Sequence, residues 1–290
     1  MDRWPALPAS SEWRPTLYSV HMYSQIVGKL RLALSPPEPE WGHVALYVTS
    51  RGLTTGPIPY RDRTFQVDFD FIEHRVKLET NDGQIQTIEL VLGAVCDFYD
   101  AMMHSLAALG IEVKMWPVPC EIPNPVRFTA DTAHAPYERE PVHRFWKALS
   151  AIDSVFKEHR APFRGRHTPV HFFWGSFDLA YSRYSGLPAD PPPNSGIIMR
   201  KAMDAQEVSA GFWAGDERYA DPAFYYYAYP KPDAIERARI SPSPAGWNTD
   251  LGEFILPYAE VRNATSPRAA LLEFLGSSYE VCTQLAGWKT

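Results

Sequence analysis

The chain has 290 residues, 45% of them hydrophobic and 21% charged, with 28 Lys and Arg against 34 Asp and Glu. A net charge of −6 provides no global field to draw nucleic acid or an anionic membrane. No run nears the roughly 18 apolar residues of a bilayer span. The opening MDRWPALPASSEWRP lacks an apolar signal core, so the sequence predicts a cytoplasmic protein without nucleic-acid or membrane partners.

Three widely spaced cysteines, Cys96, Cys120 and Cys282, make neither a disulfide framework nor a zinc pattern, and no metal or cofactor is predicted. The 27 prolines imply long ordered loops. The 13% aromatic content implies a thick core or stacking platforms for a ring-bearing ligand.

In chain order, Ser10 or Ser11 is placed to cap a first helix. Leu17, Val20, Tyr23, Val27, Leu30 and Leu34 recur there at helical spacing until Ser35-Pro36-Pro37 ends it. Strands follow at about 43–50 and 64–71. The second alternates Phe65, Val67, Phe69 and Phe71 with Gln66, Asp68 and Asp70. Asn81-Asp82-Gly83 is a hairpin turn between strands at 75–80 and 84–92. A helix from about Ala94 closes at Gly110, and 111–116 is a further candidate strand.

After a Pro-rich connection, 117–138, the order begins again. Pro141 opens a helix with Val142, Phe145, Trp146, Leu149, Ile152 and Phe156 on one face. The stretch 169–187 follows, then strands at 207–213, 223–229 and 252–256, and a helix from Ser266-Pro267 to Gly287. An offset of 126 residues pairs Ile26 with Ile152, Pro36 with Pro162, Val44 with Val170 and Ser50 with Ser176.

The prediction is an α+β fold built as an internally duplicated helix–four antiparallel strands–helix unit. It forms a single domain of two pseudo-equivalent halves, about 10–116 and 139–288, with the helices packed on one face of the sheet. Segments 188–203 and 230–250 are insertions in the second half, and long loops in a compact domain are often functional.

The stretch Pro169 to Leu187, PVHFFWGSFDLAYSRYSGL, reads as one core strand. It carries His171, Ser176, Asp178 and Arg183, which are costly to bury without partners. Strict alternation separates His171 from Ser176 and Asp178, and a bulge at Gly175 would bring all three onto one face, either lining a site or as a buried network in which His171 and Asp178 satisfy each other. This stretch, with HMYSQIVGKLRLAL and HVALYVTSRGLTTGPIP nearer the N-terminus, resembles an uncharacterised bacterial family, domain of unknown function 5996. The resemblance runs over nearly the whole chain and implies a soluble bacterial protein. The family has no assigned activity, so it carries over no catalytic residue.

On the first helix, His21, Gln25 and Lys29 lie four apart on one ridge, off the apolar arc. That ridge is either an exposed face or the polar wall of a cleft, with His21 as acid or base and Lys29 as an anion-binding charge. Arg51, Arg61 and Arg63 cluster after the first strand, where a planar fork suits a carboxylate or phosphate. They read equally as surface arginines beside Asp62 and Asp68. Tyr225-Tyr226-Tyr227 and Tyr229 put aromatics on both faces of a strand, one of which can floor a pocket.

Trp174-Gly175-Ser176-Phe177-Asp178 lacks the second glycine of a nucleophile elbow, and no phosphate loop or His-Glu-x-x-His occurs. A metal site from His21, His171 and Glu207 would need convergence in space. The leading expectation is general acid/base chemistry on a small anionic, ring-bearing metabolite in a cleft between the halves. His21, His171 and Asp178 are the candidate catalytic groups; Gln25, Lys29, Arg51, Trp174, Ser176 and Arg183 are the candidate binding groups. The alternative is a non-catalytic small-molecule-binding protein or an interaction module.

Overall fold

A computed structural model describes residues 4–91, 93–135 and 137–288. Six α-helices are found among them: α1 (Ser10–Leu34), α2 (Val95–Ala108), α3 (Arg139–Arg160), α4 (Ile197–Ala202), α5 (Tyr258–Asn263) and α6 (Pro267–Leu285). Helix α1 buries Val20, Tyr23, Ile26, Val27 and Leu30, and stops where Ser35 turns extended ahead of two prolines. Neither Ser10 nor Ser11 caps it. The residue before the helix is Ala9, and its N–H is taken by Glu12 Oε1 at 3.1 Å. Helix α6 does start on a side-chain cap, Ser266 Oγ accepting from the Ala269 N–H at 3.3 Å.

The first sheet holds β1 (Tyr47–Val48), β2 (Gly52–Thr54), β3 (Ile58–Tyr60), β4 (Arg63–Asp70), β5 (Arg75–Thr80) and β6 (Ile85–Glu89). Its order is β1-β2-β4-β5-β6, with β3 also on β4, and all pairs are antiparallel. The two-residue strands β7 (Gly93–Ala94) and β8 (His134–Ala135) pair by themselves. The second sheet holds β9 (His171–Phe173), β10 (Asp178–Pro188), β11 (Ala205–Trp213), β12 (Ala223–Tyr229), β13 (Gly246–Asn248) and β14 (Glu253–Pro257). Its order, β13-β14-β12-β11-β10-β9, is again antiparallel throughout.

One bridge joins the two sheets. Leu46 and Phe172 exchange both backbone hydrogen bonds, at 2.8 and 2.7 Å. The two faces of the resulting surface differ in cover. Strand β4 buries Phe65, Val67 and Phe69 and leaves Gln66 and Asp68 half-buried. In the second half β11 is buried along nearly its whole length, so both of its faces are covered. Below it lie α3 and α6, where Phe156 meets Tyr181 and Phe274 meets Tyr226. Above it lies α4, in the first of the long second-half loops.

Two features differ from the sequence reading. The stretch 169–187 is a hairpin rather than one strand: β9 ends at Phe173, residues 174–177 turn with Phe177 at φ +59, and β10 starts at Asp178. The pairing Phe173–Asp178 sets four residues between the strand ends. Residues 111–116 form no strand, and the Glu112 N–H is held by the Tyr60 hydroxyl at 2.9 Å instead of a ladder.

Candidate functional site

The face of the second sheet turned away from α3 and α6 carries a cavity of about 710 Å³. Strand register dictates its floor. Phe173, Asp178 and Trp213 stand side by side on β9, β10 and β11. The next row is His171, Ala180, Gly211 and Tyr225; the third is Ser182, Ser209 and Tyr227; the fourth is Tyr184, Glu207 and Tyr229. Ala180, Gly211, Ser182 and Ser209 are small, so the middle rows sink between aromatic neighbours and leave a trough. The two loops expected as insertions cover it: Ile197, Ile198 and Met199 come from one, Lys231 and the adjoining Leu251 and Gly252 from the other. Leu32, Trp41 and Val44 of the first half, with Cys120 and Glu121 of the connection, close one end.

Acids alternate with tyrosines along this floor. Asp178 accepts from the Ser176 hydroxyl and, at 2.5 Å, from the Tyr225 hydroxyl. Tyr225 reaches it by crossing β11 over Gly211, where a Cβ would lie 2.2 Å from the ring. Glu207 accepts from the Tyr227 hydroxyl at 3.4 Å. Burial pushes the Glu207 carboxyl up to about 7, although hydrogen bonds from Tyr184, Ser182 and Tyr227 favour its charged form. Burial, reinforced by the charge of Asp178, also raises Glu253 to about 7. Asp178 and Glu121 are raised too, both chiefly by desolvation.

The ridge of α1 holds the end wall. Gln25 is fully buried and clamps the connection, its Nε2 donating to Cys120 O at 2.8 Å and its Oε1 accepting from Cys120 N at 2.7 Å. Lys29 Nζ donates to Cys120 Sγ at 3.3 Å and lies over the Trp174 ring. His21 Nε2 is 3.0 Å from Gly175 O, and burial pushes its ring down to about 4. Glu121, which follows Cys120 and has φ +56, turns its carboxylate onto Gly175, where a Cβ would come within 2.1 Å of Oε2. The connection thus delivers a thiol and an acid to the cavity because α1 grips its backbone.

A family model described as a family of unknown function (DUF5996) matches residues 4–290. The chain belongs to this family. No curated protein and no solved structure matches it.

In this DUF5996 member the residues singled out from sequence divide into three groups. His171, Trp174, Ser176 and Asp178 line the cavity. His171 and Asp178 share a face, as a bulge would have arranged, but a hairpin does it. They do not pair with each other: Asp178 takes Ser176 and Tyr225, while His171 Nδ1 has no partner among the described residues. Burial, with Arg31 and Arg160 nearby, holds the His171 ring down to about 3.

His21, Gln25 and Lys29 stand behind the wall, with Trp174 Nε1 bonded to Val44 O at 2.8 Å beside them. Arg51 and Arg183 lie elsewhere. Arg51 is bound to Asp70 at 2.7 Å on the first sheet. Arg183 is on the opposite face of β10, over the rings of Phe163, Tyr181 and Tyr279 and hydrogen-bonded to His159 O. The cations expected to hold an anion therefore do not assemble in the cavity. Among the described residues, no three His, Cys, Asp or Glu side chains converge as a metal site would need, His21, His171 and Glu207 included.

Sequence reasoning passed over Glu121, Trp213 and Glu253, and weighed Glu207 only as a metal ligand. A signal for Glu207 existed: an acid on a strand of otherwise small and apolar residues, AQEVSAGFW. Nothing local marked Glu121 or Glu253.

Proposed function

We propose that this protein binds a small molecule in the trough of the second sheet and performs acid–base chemistry on it with carboxylates rather than imidazoles. The observation that carries the reading is the trough itself, a cavity of about 710 Å³ whose floor combines small residues, aromatic walls and the Asp178 and Glu207 networks. A mostly apolar pocket with a few convergent polar groups is the usual form of a ligand site. Glu207 and Glu253, raised to about 7, lie where a proton donor and acceptor work best near neutral pH. His21 and His171, held low and buried, are neutral there and position rather than titrate. Thermal unfolding across a panel of metabolites of mixed charge tests the reading. A panel member should stabilise the parent and fail to stabilise Ala180→Phe, whose ring fills the trough. No stabilisation of the parent by any member would overturn it.

We also propose that the two halves descend from one unit related by a twofold axis. Both are antiparallel sheets preceded and followed by a helix, and Leu46 and Phe172, which bridge the sheets, are themselves 126 positions apart. A twofold makes equivalent residues pair with each other. Superposing 10–108 on 139–285 should require a rotation near 180° about that bridge; a rotation far from it counts against the idea. On this view the second half gained its two loops and, with them, the site.

A further inference from the structure

Six carboxylates line this cavity; Glu40 pairs with Arg166 and Asp216 with Arg218, which leaves Glu121, Asp178, Glu207 and Glu253 without an ion-pair partner among the described residues. Among the described residues, no Lys, Arg or His nitrogen lies within 4.0 Å of Glu121, Asp178, Glu207 or Glu253. The cationic side chains in the lining are engaged elsewhere, Arg218 with Asp216 at 2.8 Å and Lys231 with Glu236 at 2.6 Å. Asp178 and Glu207 are buried and Glu253 half-buried, whereas Glu121 is exposed; unpaired buried acids are costly, and a protein retains them where something else supplies the charge. A second observation is independent of the acids. His171, 2% exposed, stands in the lining with Nδ1 unpartnered, and its neutral ring offers a hydrogen bond without repelling a cation.

Resting on the reading of the trough as a ligand site, we propose that its ligand is a protonated organic amine. The ammonium sits between Glu207 and Glu253 at the Tyr227 hydroxyl, and the apolar body lies along the trough against Tyr225 and Trp213. The Tyr227 hydroxyl donates to Glu207 at 3.4 Å, and the register that pairs Tyr226 with Phe254 sets Glu253 opposite Tyr227 on the neighbouring strand. Tyr225 and Tyr227 are stacked, with centroids 6.1 Å apart, and Trp213 adjoins Tyr225 at 5.9 Å. Such ring faces attract a cation, more so when it is desolvated. The acids are spread over three strands and a loop rather than gathered on a point, which suits an extended organic cation better than a metal ion.

Binding an ammonium favours the ionised carboxylates and so releases protons. The groups that face Glu207 are Tyr184, Tyr227 and Arg166; those that face Glu253 are Asp178, Arg218, Tyr225 and Tyr227. Arg166 and Arg218 favour the ionised acids and so reduce the release without cancelling it, because burial still holds both acids raised, while the charge of Asp178 raises Glu253 and favours the release.

Isothermal titration of the full chain with phenethylamine, phenylacetate and 2-phenylethanol tests the proposal. Phenethylamine should bind, its heat should vary with the ionisation enthalpy of the buffer, and its affinity should rise several-fold from pH 6 to 7.5. Glu207→Gln/Glu253→Gln should fold and lose about tenfold or more of that affinity, equivalent to roughly 1.4 kcal/mol. Equal binding of phenylacetate or 2-phenylethanol, or undiminished binding of the amine by the double variant, overturns the amine assignment and leaves the trough a ligand site. Binding of none of the three, together with an unresponsive metabolite panel, overturns both.

Discussion

Glu207→Gln tests the electrostatics of the site without needing a ligand. Glu207 is 3% exposed, and its carboxyl is raised from an ordinary 4.5 to about 7. A rise of that size corresponds to about 3 kcal/mol of preference for the neutral form. The unfolded chain ionises near 4.5, so between 4.5 and 7 the folded chain holds more protons than the unfolded one. Stability therefore falls as pH rises through that window, and the full penalty applies above 7. Glutamine keeps the shape and cannot ionise. At pH 8 the variant should be more stable than the parent by up to about 3 kcal/mol, less about 1 kcal/mol for a poorer hydrogen bond to the amide. At pH 5 most of the advantage should vanish. Urea unfolding at pH 5 and pH 8 measures both values. A variant less stable at pH 8, or a gap of the same size at both pH values, would show that Glu207 is an ordinary carboxylate.

Three further outcomes are expected. Gly28→Ala should gain roughly 1 kcal/mol of helix propensity yet lose more than that overall. Its Cβ would sit 2.1 Å from Trp174 Cδ1 and push the indole off Val44 O, costing about 2–3 kcal/mol by overpacking and a broken bond; a net gain in urea midpoint would contradict this. Gly211→Ala should displace Tyr225 and leave Asp178 poorly paired, costing about 1–3 kcal/mol. Tyr225→Phe should then add little to it, and full additivity in the double-mutant cycle would sink the contact. Asp178→Asn removes the charge that helps to raise Glu253, so the Glu253 titration followed by NMR should move down from about 7; an unmoved midpoint would count against their coupling.

Much of the architecture was readable because it rests on local chemistry. Prolines at 36 and 37 end α1, Gly83 at φ +89 turns a hairpin, and alternation along 64–71 marks a half-covered strand. The reading failed where local chemistry is ambiguous. Residues 171–188 are β-prone throughout, and only the left-handed Phe177, a conformation no phenylalanine advertises, breaks them into a hairpin. The site was legible in proportion to how much of it that hairpin supplies. His171, Ser176 and Asp178 are three residues of one turn region, whereas Glu121 and Glu253 arrive from segments 50 or more positions away. The expectation of an anionic ligand came from counting cations along the chain. Arg51 and Arg183 are cations in sequence, but strand register sends one to the first sheet and the other through the floor to the helix side.

The grip of Gln25 on the connection has a bearing on how such a site diversifies. A carboxamide that meets residue 120 through its main chain alone, besides its contact with His21, is indifferent to the side chain carried at 120. Exchanging Cys120, or the acid that follows it, alters what the cavity wall presents but leaves the wall anchored. What the cavity wall presents and what anchors that wall are thereby written at different positions. Substitutions at 120 and 121 should be tolerated so long as position 25 keeps an amide, and a change at position 25 should be tolerated only where the crossing itself has been rebuilt.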